Sequence, residues 1–447
     1  MSGKVEEIAW PPLASGTDVQ ALLDQFEKIQ WMKPAEISNQ QYKQLALLAE
    51  YASNHSVHFA RRLQSAGLSW KDICSPEGLK KLPPLSRRDL QANVKEINCR
   101  QVPQTHTPFS TVQTSGSSGE PVTVLRTKIC QLFWLACAMR EYVWHPCDFT
   151  GALAVIRANL PSDKPFSHNN WGSPANLFYK TGPGYALPIN KSISEQAAWL
   201  MQVNPHYLLI YPNNLSALLD YMAAEKISLP HLKKIRTIGE TLSPDLRQRV
   251  MHQLKVPVTD IYSSQELGII AIQCPESGLY HVMSENVIVE VLNEQGETCH
   301  EGDIGRLVIT DLHNFSTPLI RYDIGDYAEI GPACSCGRGL PTLKRIVGRE
   351  RNMIMINGER SWPLVGFHHY RDIAPIVQYQ IIQKEKDLLE VRLVSQSPLT
   401  SQQEKKLTDI INKSLGFNFR TRFVYFTDRI PVGKSGKYEE FICELDG

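Results

Sequence analysis

The 447-residue sequence has no apolar run long enough to span a bilayer. Its first residues, MSGKVEEIAWPP, lack the apolar core of a signal peptide. No membrane partner and a cytoplasmic location are therefore expected. The chain also lacks an excess of either charge. Its 47 Lys and Arg against 46 Asp and Glu leave +1, which provides no electrostatic footprint for nucleic acid. The ten cysteines are scattered, and this suits a reducing compartment better than a disulfide framework. No internal repeat or low-complexity tract stands out. What remains is an ordinary globular composition, 42% hydrophobic and 21% charged, over a length that allows more than one domain.

Hydrophobic periodicity divides the chain into successive stretches. Residues 1 to about 100 read as helical, with SNQQYKQLALLAEYASNHSVHFARRLQSAG as one long helix closed by Gly67. A further apolar helix is expected from about Thr127 to Trp144. From 150 to 270, strand and helix patterns alternate, and the links between them are short. GALAVIRANL, HYLLIYP, KKIRTIGE and PVTDIYSS read as strands. Ser192 with Glu195 forms a capping box, and Ser243 before Pro244 marks a helix start. This alternation predicts a parallel sheet covered by helices, with active groups at the carboxyl ends of strands. From 285 to 345 short strands and turns predict a β-rich subdomain. IVGRERNMIMINGERSWP reads as a link. A small α+β tail follows, with a hairpin across KEKD, one helix and one further strand. The expected fold is α/β, with a large domain at 1–350 and a small mobile domain at 351–447.

TVQTSGSSGEPV, Thr111–Val122, groups hydroxyls with two glycines. Such a loop can wrap an anion with backbone N–H groups and hydroxyls, and it can equally be a flexible surface segment. It lacks the Gly-Lys-Ser/Thr ending of a P-loop.

The order of motifs carries more than any one of them. The Ser/Thr/Gly loop is followed by YSSQELG, RYDIGD, GRERNMIMINGER and, near the end, PVGKSGK. From about residue 45 onward this series resembles the adenylate-forming superfamily of acyl-CoA synthetases and adenylation domains. LPPLSRRDL, PLIRYDIGD, CSCGRGLP and INGERSWP are similar to its phenylacetate–CoA ligase branch. The resemblance implies ATP-dependent, AMP-forming activation of a carboxylic acid, followed by transfer to a thiol of CoA or of an acyl carrier protein. Some relatives transfer the acyl group to an amine instead. A non-catalytic ATP-binding scaffold of the same fold is the reading outside that class.

The resemblance assigns the ATP phosphates to Thr114, Ser115, Gly116, Ser117, Ser118 and Gly119. Many relatives carry Lys before the Pro, where this chain has Glu120. Gly239 and Glu240 resemble the adenine-edge strand, with Tyr262, Ser263 and Ser264 near the adenine and the reacting groups. Glu266 would hold Mg²⁺, which favours carboxylate, phosphate and water oxygens. Asp326 and Arg349 would take the ribose, and Asp323 reads as a turn residue. Lys437 would supply the adenylation cation, with Lys434 as the competing candidate. Arg351 and Asn352 stand at the hinge. The acid pocket is expected between the sheet and 155–185, lined by Arg157, His168 and Trp171; aromatic walls suit an aromatic acid. Cys274, His281, Cys334 and Cys336 would form a Cys₃His structural zinc site. A buried-thiol reading of the same residues stays open. The oligomeric state is expected to be monomer or homodimer.

Overall fold

The structure is a computed structural model. It describes residues 10–13, 18–113, 121–158, 160–349, 352–361, 363, 370, 373–374, 376–395, 397–427, 429–431 and 439–445. It is α/β, and it divides into two compact units. One comprises 1–151, 169–183 and 259–347; the other comprises 152–168, 184–258 and 348–447. Among the described residues no helix is long and apolar enough to cross a membrane.

In the first unit the expected long helix over Ser38–Gly67 is two. Pro34–His55 stops at Ser56, whose side chain accepts from Phe59 N and starts Val57–Ser65. A serine at an N-cap satisfies a donor the helix cannot, so the break is locally favourable. Leu45, Leu48, Ala52, Phe59 and Leu63 from both pieces pack on Leu312, Phe315 and Ile320. Lys128–Trp144 is a helix, as its apolar periodicity predicts. The β-rich part orders its strands as Val287–Leu292, Ile304–Asp311, Tyr322–Ile330, Thr342–Arg349, Tyr280–Val282, Gly268–Gln273 and Val258–Ser264. Its core includes Ile270, Val287, Leu307, Leu319 and Tyr322. Each fully buried large side chain of this kind contributes about 1.5–3 kcal/mol. Phe109–Gln113 and Thr123–Thr127 form a separate antiparallel hairpin, with Gln113 opposite Thr123.

In the second unit Lys234–Ile238, Tyr207–Ile210, Leu153–Arg157 and Gly184–Pro188 run parallel in that order, and Phe166–His168 is antiparallel at the edge. Ser192 with Glu195 caps Ile193–Val203, and Ser243 caps Pro244–Leu254, as the sequence predicts. The C-terminal part is a four-stranded sheet, Arg420–Phe426, Leu388–Ser395, Ile376–Glu385 and Phe441–Cys443, with the helix Ser401–Leu415. Leu389, Val391, Leu407 and Ile411 form its core. The expected link at 346–363 is not featureless. Ile354–Ile356 pairs with Glu359–Ser361 around Asn357-Gly358, both at positive φ.

Candidate nucleotide and metal sites

Two motifs far apart in sequence meet on neighbouring elements of the first unit. Tyr262, on Val258–Ser264, donates from its hydroxyl to Asp326 Oδ2 at 2.8 Å. Asp326 projects from an irregularity in Tyr322–Ile330. Tyr327 faces Arg306 and Asp323 faces Val308, so three residues oppose one, and Gly325 takes φ +79°. Such a bulge re-aims the side chain beside it. Asp323, expected in a turn, lies instead within the strand Tyr322–Ile330, opposite Val308, just before the bulge. Its Oδ1 accepts from Gly325 N at 3.0 Å, and its Oδ2 lies 3.1 Å from Arg306 Nη1. Burial raises its carboxyl above the ordinary value against the pull of Arg306.

Glu266 follows on the turn after Val258–Ser264 and is 3% exposed. Its Oε1 lies 3.1 Å from Arg87 Nη1, 179 residues away in sequence. Ser264 Oγ accepts from Leu267 N, and Arg126 Nη1 donates to Gln265 O. The turn is held close. A Cβ on Gly268, at φ +79°, would lie 3.0 Å from Arg126 Nη2. Ser263 and Ser264 are half-buried on the same strand end.

Gly239 and Glu240 lie in the second unit. Gly239 has φ +76°, and Glu240 Oε2 accepts from Asn213 N at 3.0 Å. The carboxylate thus caps the helix Pro212–Ala224, a favourable placement at a helix N-terminus. Arg349 N donates to Asn352 Oδ1, and Asn352 Nδ2 donates to Phe441 O at 2.6 Å. Thr114, Ser115, Gly116, Ser117, Ser118, Gly119, Glu120, Arg351, Lys434 and Lys437 lie outside the described residues.

The expected acid-pocket residues fall in different units. Arg157 and His168 are exposed in the second unit, with His168 edge-on to Phe166 at 5.4 Å. Trp171 belongs to the first. Its Nε1 donates to Gly151 O at 2.8 Å, and its ring meets Phe149 at 5.5 Å.

Cys274, His281, Cys334 and Cys336 come together, with their ligand atoms within 4.8 Å of one another. Cys274 and Cys334 sulfurs are 3.7 Å apart, and Cys336 Sγ is 3.3 Å from His281 Nε2. With Zn–S near 2.3 Å and Zn–N near 2.0 Å, tetrahedral ligand atoms stand about 3.5–3.8 Å apart, so the donor set fits that ion. His281 Nδ1 lies 3.2 Å from Leu340 O. This leaves the Nε2 lone pair facing the thiols, the usual outer contact of a ligating histidine. Burial pushes His281 down to about 4, aided by Arg338 and Arg140. It pushes Cys334 up to about 11. Burial alone would also raise Cys274, but N–H and hydroxyl donors at Ser277 and Glu276 bring it below its ordinary value.

The cluster is bolted to the N-terminal helices. Arg338 lies over Trp144 at 4.6 Å and Trp31 at 5.0 Å, and its Nε donates to Gln30 Oε1 at 2.9 Å. Gly339 N donates to Gln30 O. Any Cβ at 339 would fall 1.8 Å from Met32 O, so only glycine permits the approach.

Residues 366–444 match the family model of the CapK C-terminal domain. Over 368 residues the chain is 24% identical to a phenylacetate–coenzyme A ligase of Thermus thermophilus, covering 78% of this chain and 79% of the relative. It is 24% identical over 358 residues to a protein of the same name from Aromatoleum evansii, covering 75% and 76%. Over about three quarters of its length the chain is thus similar to phenylacetate–CoA ligases. Among solved structures, a 2-hydroxyisobutyryl-CoA ligase in complex with 2-HIB-AMP overlays 94% of this chain and 92% of its own. Its TM-score is 0.74 at 19% identity. An anthranilate CoA ligase with anthranoyl-AMP gives 0.54 at 14% identity, over 73% and 65%. These overlays show that the chain shares its fold with these two ligases.

Arg87 escaped the sequence reading as a partner of Glu266. LPPLSRRDL carried it as part of a resemblance, but no local pattern tells which of two adjacent arginines meets a carboxylate 179 residues on.

Proposed function

We propose that this protein activates a carboxylic acid with ATP and then passes the acyl group to the thiol of CoA. One observation carries the reading. Tyr262 and Asp326, from two motifs of the series, are joined by a 2.8 Å hydrogen bond. A half-buried carboxylate fixed in this way suits the two hydroxyls of a ribose, because it offers two acceptor oxygens.

In the first step a carboxylate oxygen attacks the α-phosphorus. The bond to the β-phosphate oxygen breaks, and pyrophosphate leaves. The product is a mixed anhydride, with AMP as a good leaving group. In the second step the thiol attacks the acyl carbon, AMP departs, and the thiol proton is released. Asp326 and Arg349 orient the ribose, Tyr262 flanks the adenine, and the 114–119 loop wraps the β- and γ-phosphates. Lys437, carried by a mobile domain at 351–447, serves the first step only. Glu266 suits Mg²⁺, because a single buried carboxylate leaves the ion's other positions to phosphate and water. That ion would neutralise phosphate charge. The acid is aromatic on this reading, supported by the relatives' name. The Cys₃His cluster holds a structural zinc, supported by its donor set and spacing.

The test is hydroxamate trapping with pyrophosphate release, using ATP, Mg²⁺ and a panel of aryl and alkyl acids without acceptor. Signal with an aryl acid, followed by thioester formation with CoA, supports the reading. Folded protein that binds ATP but turns over no acid favours a scaffold. A hydroxamate signal with alkyl acids alone overturns the aromatic assignment.

A further inference from the structure

We propose that Arg87 is a phosphate-binding residue of the adenylation site, reading the β- and γ-phosphates of ATP beside Glu266. The proposal rests on the adenylation reading above. It begins with charge. A nucleoside triphosphate brings about four negative charges to a site that already holds the buried Glu266 carboxylate. The segment TSGSSGE at 114–120 contributes no cation and one further carboxylate. Basic groups must therefore come from elsewhere in the fold.

Two arginines reach the turn that carries Glu266. Arg126 donates one Nη to Gln265 O and the other to Cys130 O, both at 3.3 Å, and so fixes the turn. Arg87 meets the Glu266 carboxylate itself at 3.1 Å, and its side chain is only 18% exposed. A guanidinium has five donors in a planar fork, so it can hold a carboxylate and a phosphate together. Phosphate bound beside Glu266 lies within the span of this group.

The backbone around Arg87 is built to hold it in place. Arg87 is the first residue of the helix Arg87–Ile97. Ser86 caps that helix and accepts from Asp89 N at 3.0 Å. The helix N-terminus adds partial positive charge on the same side. Just upstream, Leu85 N donates to Arg321 O at 2.6 Å, and Asp323 N donates to Leu85 O at 2.9 Å. Arg321 Nη1 donates to Lys80 O and Leu82 O, and Arg62 Nη2 donates to Pro83 O at 2.7 Å. The strand that carries Asp326 thus also anchors the segment that carries Arg87. One strand sets the separation between a ribose-binding carboxylate and a phosphate-binding guanidinium.

The experiment compares equilibrium binding of α,β-methylene-ATP with Mg²⁺ and of AMP alone, for the wild type, Arg87→Gln and Arg87→Lys. AMP lacks the groups Arg87 would touch. Arg87→Gln is expected to weaken the triphosphate analogue by about tenfold or more and to leave AMP binding within about twofold, as for one lost charge-assisted contact. Arg87→Lys, which keeps the charge, is expected to recover most of the loss. The triphosphate analogue is measured with and without Mg²⁺: a loss in Arg87→Gln that appears only with Mg²⁺ would mean that Arg87 only holds Glu266 for the ion, and would overturn the assignment, as would equal weakening of both nucleotides. So would no weakening of either. A wild-type chain that binds neither nucleotide overturns the adenylation reading together with this one. Binding of both by the wild type, with an unchanged triphosphate-to-AMP ratio in Arg87→Gln, overturns this one alone. Arg87→Lys serves as the folded control, compared with the wild type by thermal melting.

Discussion

The Tyr262 hydroxyl donates to Asp326 Oδ2 at 2.8 Å, across 64 residues of sequence. The phenol thereby selects which face of the carboxylate remains for a ligand. Asp326→Asn should reduce acyl-AMP formation by about a hundredfold, because a charged acceptor becomes half donor. Tyr262→Phe should cost less, about three- to tenfold. It should also erode discrimination between ATP and 2′-deoxy-ATP. Steady-state pyrophosphate release with each nucleotide checks both expectations.

Lys437→Ala should abolish adenylation and spare transfer from supplied acyl-AMP to CoA. The two half-reactions are assayed separately for this reason. If Lys434→Ala shows that pattern instead, the cation is Lys434.

The purified protein should carry one zinc per chain by elemental analysis. Cys336→Ser should lose it, and a strong chelator should lower the wild-type melting temperature. The buried cluster ties 334–340 to Gln30 and Met32, so the loss should also speed proteolysis near residue 30. A metal-free preparation with the wild-type melting point would leave the four residues as buried thiols and a buried imidazole.

Stability should fall as pH drops from about 6.5 toward 4. Burial lowers His106 to about 4 and His313 to about 3. In that range the unfolded chain binds protons that the folded chain refuses. His106 Nδ1 faces Thr127 Oγ1, and His313 Nε2 accommodates Glu285 O. The opposing group is Asp311, which burial raises to about 6 against the pull of Arg126 and nearby N–H donors. Its protonation in the folded state favours folding as pH falls, so it softens the slope without reversing it. Urea midpoints against pH should show a shallower acid limb for His106→Gln with His313→Gln than for the wild type.

Glu285→Ala should destabilise the fold by about 3–5 kcal/mol, because it strands a buried guanidinium. Arg140 and Glu285 are fully buried and paired at 2.7 Å, with Arg140 over Phe26 at 4.5 Å. Chemical unfolding measures the loss. Replacing both partners with apolar residues of similar volume should recover much of it.

Local signals were legible in the sequence. Ser192 with Glu195, and Ser243 with Pro244, fix helix starts through bonds spanning three residues, and the hairpin across Lys386-Asp387 announces itself by alternation. Ser56 was also a cap signal, but the apolar periodicity continues through it and conceals the break. Asn357-Gly358 was a two-residue hairpin signal inside a stretch read as a link. The candidate site was legible only as motif order. Position in a series pointed to Glu266 and Asp326, but the contacts that fix them come from Arg87 and Tyr262, and pairing across 179 and 64 residues leaves no local trace. Arg157, His168 and Trp171 stand out in the sequence by composition alone, and the Trp171 Nε1 donates to Gly151 O.

The bonds from Arg321 and Asp323 to the 80–85 segment carry a consequence for how this chain can vary. Leu85 and Tyr322 pair as neighbouring strands do, and Arg321 holds two carbonyls of the segment at a backbone φ of +52°. A residue added or removed between Lys80 and Arg87 would slide Arg87 off Glu266 even if every side chain were kept. The exposed turn at Asn293–Glu297, closed only on itself, can lengthen without such an effect. Homologous chains should therefore align without gaps from 80 to 87 and accumulate insertions near 295.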